Sequence, residues 1–444
     1  MVGAKEKIAY GLGDTASNFI FQTVMLFLTF YYTDVVGLSA SAVGSMFLLV
    51  RVFDAVTDPL MGSLADRTKT RWGSYRPYLL WLALPFALCS VLAFTSPEWL
   101  TEEGKLYYAF GTYALLMLMY TAINIPYSAL GGVLSADATE RVSIQSYRFV
   151  FAMGGGLLVT SFMLPLVDYL GDGSDALGYQ RAMTVMSVIG MVLFLLCFAG
   201  TKERVKPAND TPSPYKTQLK AVWKNDQARV LCMVAVVLLT GMVLRNTLAL
   251  YYVKYVLQRP ESATFFVTAG MIGSIIGCAL ANPVAKRIPK IKAYVILQIA
   301  SAIICIANYF IPYDAWVAAV MLHFAWGLLL QMATPLLWSK IADVVDYGEY
   351  KTGQRMTGLT YSTIVFFIKV GLALGGALAG WLLASFNYQP NAYEPNVAAG
   401  IVAVFCFGPA IASIGVAIIM RWYTLDELKI SSIQKTLGIA SQKA

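Results

Sequence analysis

The chain has 444 residues, of which 58% are hydrophobic and only 13% charged, and its formal net charge is +8. Soluble domains carry about 25% charged residues, so half of the usual solubilising surface is missing, and a disordered chain, a coiled coil and a nucleic-acid binder are excluded. Six cysteines stand singly inside apolar runs with no CxxC pair, which argues against a metal or redox framework.

A membrane helix needs about 20 mostly apolar residues. Twelve such segments follow one another, at roughly 9–33, 40–65, 77–96, 107–132, 143–169, 182–200, 230–254, 263–285, 293–311, 315–341, 356–385 and 398–421. The first run is long and lacks a small-residue cleavage site, so it reads as a span rather than a signal peptide. The expected fold is an all-α membrane protein with twelve transmembrane helices in two six-helix halves.

Charge at the centre of a bilayer costs roughly 2.5–3.5 kcal/mol, so each charge within a span is a candidate for function. Span one carries Asp14. Span two carries Arg51, Asp54 and Asp58 in RVFDAVTDPLMG, three and four residues apart and hence on one helical face. Two carboxylates at that spacing can converge on one small cation or share a proton. Pro59 cannot donate to the carbonyl of Ala55, which leaves a further oxygen free nearby. The competing reading is charge pairing of Arg51 with Asp54.

Span four, in YTAINIPYSAL, places Thr121, Asn124 and Ser128 on one polar stripe, with Pro126 interrupting it; this reads as cavity lining. Span five carries Arg148 and Gly154 to Gly156. Span seven carries Arg245, and span ten His323, Trp326 and Trp338, the two tryptophans suited to stacking on a sugar ring. Span eleven carries Lys369 among Gly371, Gly375, Gly376 and Gly380, and the glycine-rich faces of spans five and eleven allow close helix approach. Arg148 and Lys369 are suited to sugar hydroxyls, to an anionic substrate, or to neutralising the aspartates. Tyr31, Tyr32, Tyr251 and Tyr252 near span ends read as interfacial belt.

Basic residues orient the chain. Most of the 33 Lys and Arg fall in inner segments if both termini are cytoplasmic, with Lys105, Arg181, Lys254 and Arg259 outside. The +8 then records topology and needs no anionic partner. The polar, Lys- and Pro-rich stretch after Thr201 divides the spans six and six. The expected domains are a bundle over 1–200, a cytoplasmic linker over 201–228, a second bundle over 229–422 and a tail over 423–444. Internal echoes support two related halves: Pro126, Asp137 and Glu140 recur at the same offsets as Pro335, Asp346 and Glu349. No GK[ST] loop, HExxH or GxSxG is present, so the chain is expected to be no enzyme, to need no cofactor beyond a coupling ion, and to draw energy from a gradient.

After span two comes GSLADRTKTRWGSYRP, which resembles the inner-loop signature of the major facilitator superfamily. Together with FYYTDVVGLS, RVFDAVTDPLMG, NIPYSAL and ADVVDYGEYKTGQR it resembles the glycoside–pentoside–hexuronide:cation symporters, the family of melibiose permease and the glucuronide carrier, over essentially the whole chain. The resemblance implies a major facilitator fold and symport of a glycoside, pentoside or hexuronide with Na+ or H+ across the inner membrane, by a protein functional as a monomer in the lipid bilayer. It places the coupling cation at Asp54, Asp58, Thr121 and Asn124, with the two aspartates as metal ligands if the ion is Na+. It places substrate at Asn18, Arg148 and Lys369, and the candidate substrate contacts Asp14 and Trp338 stand in stretches that resemble the glucuronide carrier, Trp338 not at the aromatic position of melibiose permease. Asn18 and Asn124 stand where melibiose permease has acids, which bears on both the sugar and the ion. A carrier of lysolipid or amphipathic small molecules on the same fold is the alternative.

Overall fold

A computed structural model describes residues 2–97, 99–205, 215–386 and 395–438. Among these there is no β-strand. The helices are α1 (Ala4–Thr23), α2 (Ala40–Arg67), α3 (Arg76–Ala93), α4 (Glu102–Val133), α5 (Ala138–Leu170), α6 (Asp175–Gly200), α7 (Tyr215–Lys224), α8 (Asp226–Tyr251), α9 (Ala263–Arg287), α10 (Lys290–Tyr309), α11 (Trp316–Thr352), α12 (Thr357–Ser385), α13 (Pro395–Ile419) and α14 (Glu427–Thr436).

Local chemistry explains many of the ends. Asp137 accepts from the backbone N–H groups of Thr139 and Glu140 at the start of α5, and Asn225 from that of Ala228 at the start of α8. Helix α3 has no capping side chain of its own. Instead Glu203, 129 residues from Ser74, accepts from the backbone N–H groups of Ser74, Tyr75 and Arg76 at 2.8–2.9 Å. Gly73 makes this possible: its φ is +113°, and a Cβ there would collide with the Glu203 carboxylate. Gly353, at φ +70°, closes α11.

The side chains are arranged for lipid rather than water. On α3, Trp81, Leu84, Leu88 and Leu92 point outward at helical spacing, whereas Ala83, Phe86, Cys89 and Ser90 are buried. Ten described helices are long and apolar enough to cross a membrane. The other two expected spans coincide with α1, which π-helical turns extend to Val35, and α2.

The chain divides into two compact units. One holds residues 1–215 with 356–362; the other holds 216–355 with 363–444. In the first, α1 packs on α5 and α6, α3 on α4 and α6, and α2 on α4; in the second, α8 packs on α13, α9 on α11, and α10 on α11 and α13. The first long helix of each unit ends alike, in a π-helical turn at Tyr31–Val35 and at Tyr252–Val256. The tyrosines of these turns do not form a lipid-facing belt. Tyr31, Tyr32 and Tyr252 are buried, Tyr31 against Phe94 and Tyr179, and Tyr252 stacked on Phe405 with centroids 4.4 Å apart.

The glycine-rich faces are used unevenly. A Cβ on Gly155 would press on the Thr15 backbone, and on Gly371 or Gly375 would meet the carbonyl of Val236 or Thr240 at 2.7 Å. Gly154 and Gly376 face open space. All six cysteines are buried and unbridged.

Candidate functional site

Asp54 and Asp58 are fully buried, one turn apart on α2. Thr121 on α4 donates its hydroxyl to Asp58 Oδ1 at 2.9 Å. One turn further along α4, Asn124 presents Oδ1, buried and without a hydrogen-bond partner among the described residues. Two carboxylates, a hydroxyl and a neutral amide oxygen therefore come from two packed helices. An all-oxygen donor set of this kind suits a hard cation. Among the described residues no group of three or more His, Cys, Asp or Glu is placed to hold a metal ion, so a cation here relies on the neutral oxygens as well. The side chain of Arg51 lies outside the described residues.

A second cluster is built from α1, α4 and α5. Arg148 Nε donates to Asp14 Oδ2 at 2.6 Å, and both side chains are at least nine-tenths buried. Asn18 donates to the Asp14 carbonyl at 2.9 Å and to Asp14 Oδ1 at 3.4 Å. Arg148 Nη2 reaches Ser128 Oγ at 3.4 Å, and its guanidinium lies 5.1 Å from the Tyr127 ring centroid. Paired in this way, Arg148 neutralises Asp14 and keeps further N–H groups on the same cluster.

The polar stripe of α4 joins the two clusters. Thr121 touches the Asp58 side and Ser128 the Arg148 side, about 10 Å apart along the helix axis. Tyr120, not singled out by its sequence, lies within electrostatic range of Asp14, Arg148, Asp54 and Asp58 at once, stacked on Phe21 at 5.3 Å. Its signal was its place beside Thr121. A further pair missed by sequence locks α1 to α4: Tyr127 donates to the Tyr10 carbonyl at 2.7 Å and Tyr10 to the Tyr127 carbonyl at 3.3 Å.

The remaining candidates belong to the second unit. Trp338 on α11 and Lys369 on α12 are each half-buried. Trp326 does not present an open face: it is buried, 4.8 Å from the Arg245 guanidinium, and stacked on His323 at 5.8 Å. Asp346 and Glu349 both bind Arg355, at 2.9 and 2.7 Å. Their first-half counterparts act otherwise. Asp137 caps α5, and Glu140 accepts from the Ser135 hydroxyl at 2.7 Å and the Val2 backbone N–H at 2.6 Å.

The inner-loop signature is tied down in the first unit. Asp66 accepts from the backbone N–H groups of Gly358 and Leu359 at 2.6 and 2.9 Å and from the Tyr75 hydroxyl at 2.6 Å. Gly62 and Gly358 meet backbone to backbone, with no room for a Cβ on either.

In the first unit a buried carboxylate pair is linked by one helix face to a buried Asp–Arg pair, an arrangement with groups that can hold ligands. A family model described as MFS/sugar transport protein matches residues 9–427. The inner membrane symporter YicJ of Escherichia coli is 41% identical over 99% of this chain and 95% of its own. The isoprimeverose transporter of Lactiplantibacillus pentosus is 33% identical over 97% of this chain and 90% of its own. A crystal structure of the E. coli fucose:proton symporter FucP matches with a TM-score of 0.66 at 13% identity, covering 95% of this chain and 98% of that one, a likeness of fold alone. The chain belongs to the sugar-transport family of the major facilitator superfamily, in its glycoside–pentoside–hexuronide:cation symporter branch.

Proposed function

We propose that the protein is a symporter that carries a glycoside, pentoside or hexuronide across the inner membrane together with Na+ or H+, with both termini cytoplasmic. Asp54, Asp58, Thr121 and Asn124 bind the ion; Asp14, Asn18 and Arg148 bind substrate, and Trp338 and Lys369 are substrate contacts contributed by the second half. The observation that carries the reading is the α4 stripe, with Thr121 on Asp58 at one end and Ser128 on Arg148 at the other.

Coupling follows from the electrostatics of that stripe. Two buried carboxylates one turn apart repel, and an ion between them removes the repulsion. With the α2 carboxylates neutralised, α4 is fixed against α2 through Thr121, which sets Ser128, Tyr120 and Arg148 for substrate. Each ligand then raises the affinity of the other by the same factor. Residues 1–200 and 229–422 act as the two six-helix repeats, joined by the linker 201–228 and followed by the tail 423–444. Repeats of this kind expose a loaded site to the two sides in turn by rocking. Na+ finds in this site two carboxylates and two neutral oxygens; H+ needs only one of the carboxylates.

Thermal unfolding of the purified protein with a panel of glycosides, with and without Na+ and over a range of pH, tests the reading. Stabilisation by a glycoside that grows with the ion supports it. Stabilisation by lysolipid alone, with no response to any sugar, contradicts it and favours the lipid carrier.

A further inference from the structure

We infer that the second unit holds a small inorganic anion of the halide class, bound to the guanidinium of Arg245 among α8, α10, α11 and α13. This inference does not rest on the symport reading.

Arg245 is fully buried. A guanidinium does not give up its proton, so unlike a buried lysine or histidine it cannot escape the cost of burial by becoming neutral. Its charge must be compensated where it stands. Part of the compensation is visible. Nη1 donates to the carbonyl of Phe405 at 3.1 Å and points to Cys305 Sγ at 3.6 Å. That carbonyl is available for a physical reason: four residues on stands Pro409, which has no N–H to return within α13. The guanidinium carbon lies 4.0 Å from the Phe405 ring centroid and 4.8 Å from that of Trp326, so aromatic π clouds offset a further part of the charge.

One edge of the guanidinium is left over. Nε and Nη2 are both buried with no partner among the described residues, and no described carboxylate pairs with Arg245. These two N–H groups share an edge and form the fork with which arginine grips an anion through two parallel hydrogen bonds. The groups within range of its charge are the phenol of Tyr252, the thiols of Cys305 and Cys406 and the imidazole of His323, none of which is anionic at neutral pH at its ordinary pKa. Asn308 Oδ1 and His323 Nδ1 are likewise buried and unpartnered among the described residues. The surroundings are therefore too polar to be dry, and a water accompanying the ion satisfies such acceptors. The contacts of the Arg245 guanidinium are a carbonyl, a thiol and two aromatic rings, which leave its two free N–H donors to a small ion.

Bromide anomalous diffraction on crystals of the full chain reads the site directly, without any variant. The expected result is one anomalous peak on the Nε–Nη2 edge of Arg245. Water alone on that edge at saturating bromide overturns the inference. In parallel, the melting temperature of the purified protein is followed as chloride replaces gluconate at constant ionic strength and pH. It is expected to rise by about one to two degrees for each tenfold increase of chloride above its dissociation constant. Arg245→Met is expected to abolish that rise. Melting that ignores halide in the wild type, or that responds equally in Arg245→Met, contradicts the assignment.

Discussion

Thr121 and Asp58 lie 63 residues apart in the chain and share a 2.9 Å hydrogen bond in the buried interior of the first unit. The bond joins the helix that carries the acid pair to the helix that carries the polar stripe. Its loss is expected to weaken ion binding without removing a charge. A hydrogen bond to a charged group contributes about 1.5–3 kcal/mol, so Thr121→Val should raise the ion concentration for half-maximal uptake by roughly ten- to a hundredfold. Thr121→Ser keeps the hydroxyl and should stay close to wild type. Equal behaviour of the two variants removes Thr121 from the ion site.

The Asp14–Arg148 pair makes a different prediction. Removing one partner of a buried ion pair strands the other charge at a cost of about 3–5 kcal/mol, whereas replacing both is far milder. Asp14→Asn and Arg148→Met should each lower the melting temperature, and the double variant should recover much of the loss. All three should lose substrate-induced stabilisation. Additive destabilisation in the double variant would show that the two side chains act independently.

How far the site can be read from sequence depends on the distance over which its parts are related. The Asp54 and Asp58 pair is legible because helical spacing alone puts two acids on one face. The stripe of Thr121, Asn124 and Ser128 is legible for the same reason. Which residue each end of the stripe touches is not, because that depends on packing α4 against α2 and α5. Tyr120 hides among abundant aromatics, and only the fold sets it between the two clusters. Arg245 shows the converse: its charge is obvious in sequence, but the proline-freed carbonyl it binds lies 160 residues away.

The capping of α3 by Glu203 offers a test of stability alone. Glu203→Ala removes the acceptor for three backbone N–H groups and leaves Gly73 without the carboxylate that fills its niche. Loss of a cap costs about 0.5–2 kcal/mol, so the melting temperature should fall by a few degrees, with ion dependence of uptake unchanged. A shift in ion dependence without loss of stability would contradict a capping role.

The approach of Gly62 to Gly358 leaves no space for a side chain. Gly62→Val should separate the last turns of α2 from the first turn of α12 and lengthen the bonds from Gly358 and Leu359 to Asp66. Overpacking of this kind costs about 1–3 kcal/mol. Hydrogen exchange at the first turn of α12 should rise in Gly62→Val and in Asp66→Ala alike; exchange that is unchanged in both would contradict the account of that junction.

The coupling ion is proposed to sit on Asp58. The most direct test of that placement is Asp58→Asn in proteoliposomes, with substrate exchange measured beside gradient-driven accumulation. Accumulation driven by either a Na+ or a proton gradient is expected to be lost, while exchange of substrate across the membrane persists. Accumulation at the wild-type level by Asp58→Asn would contradict the placement.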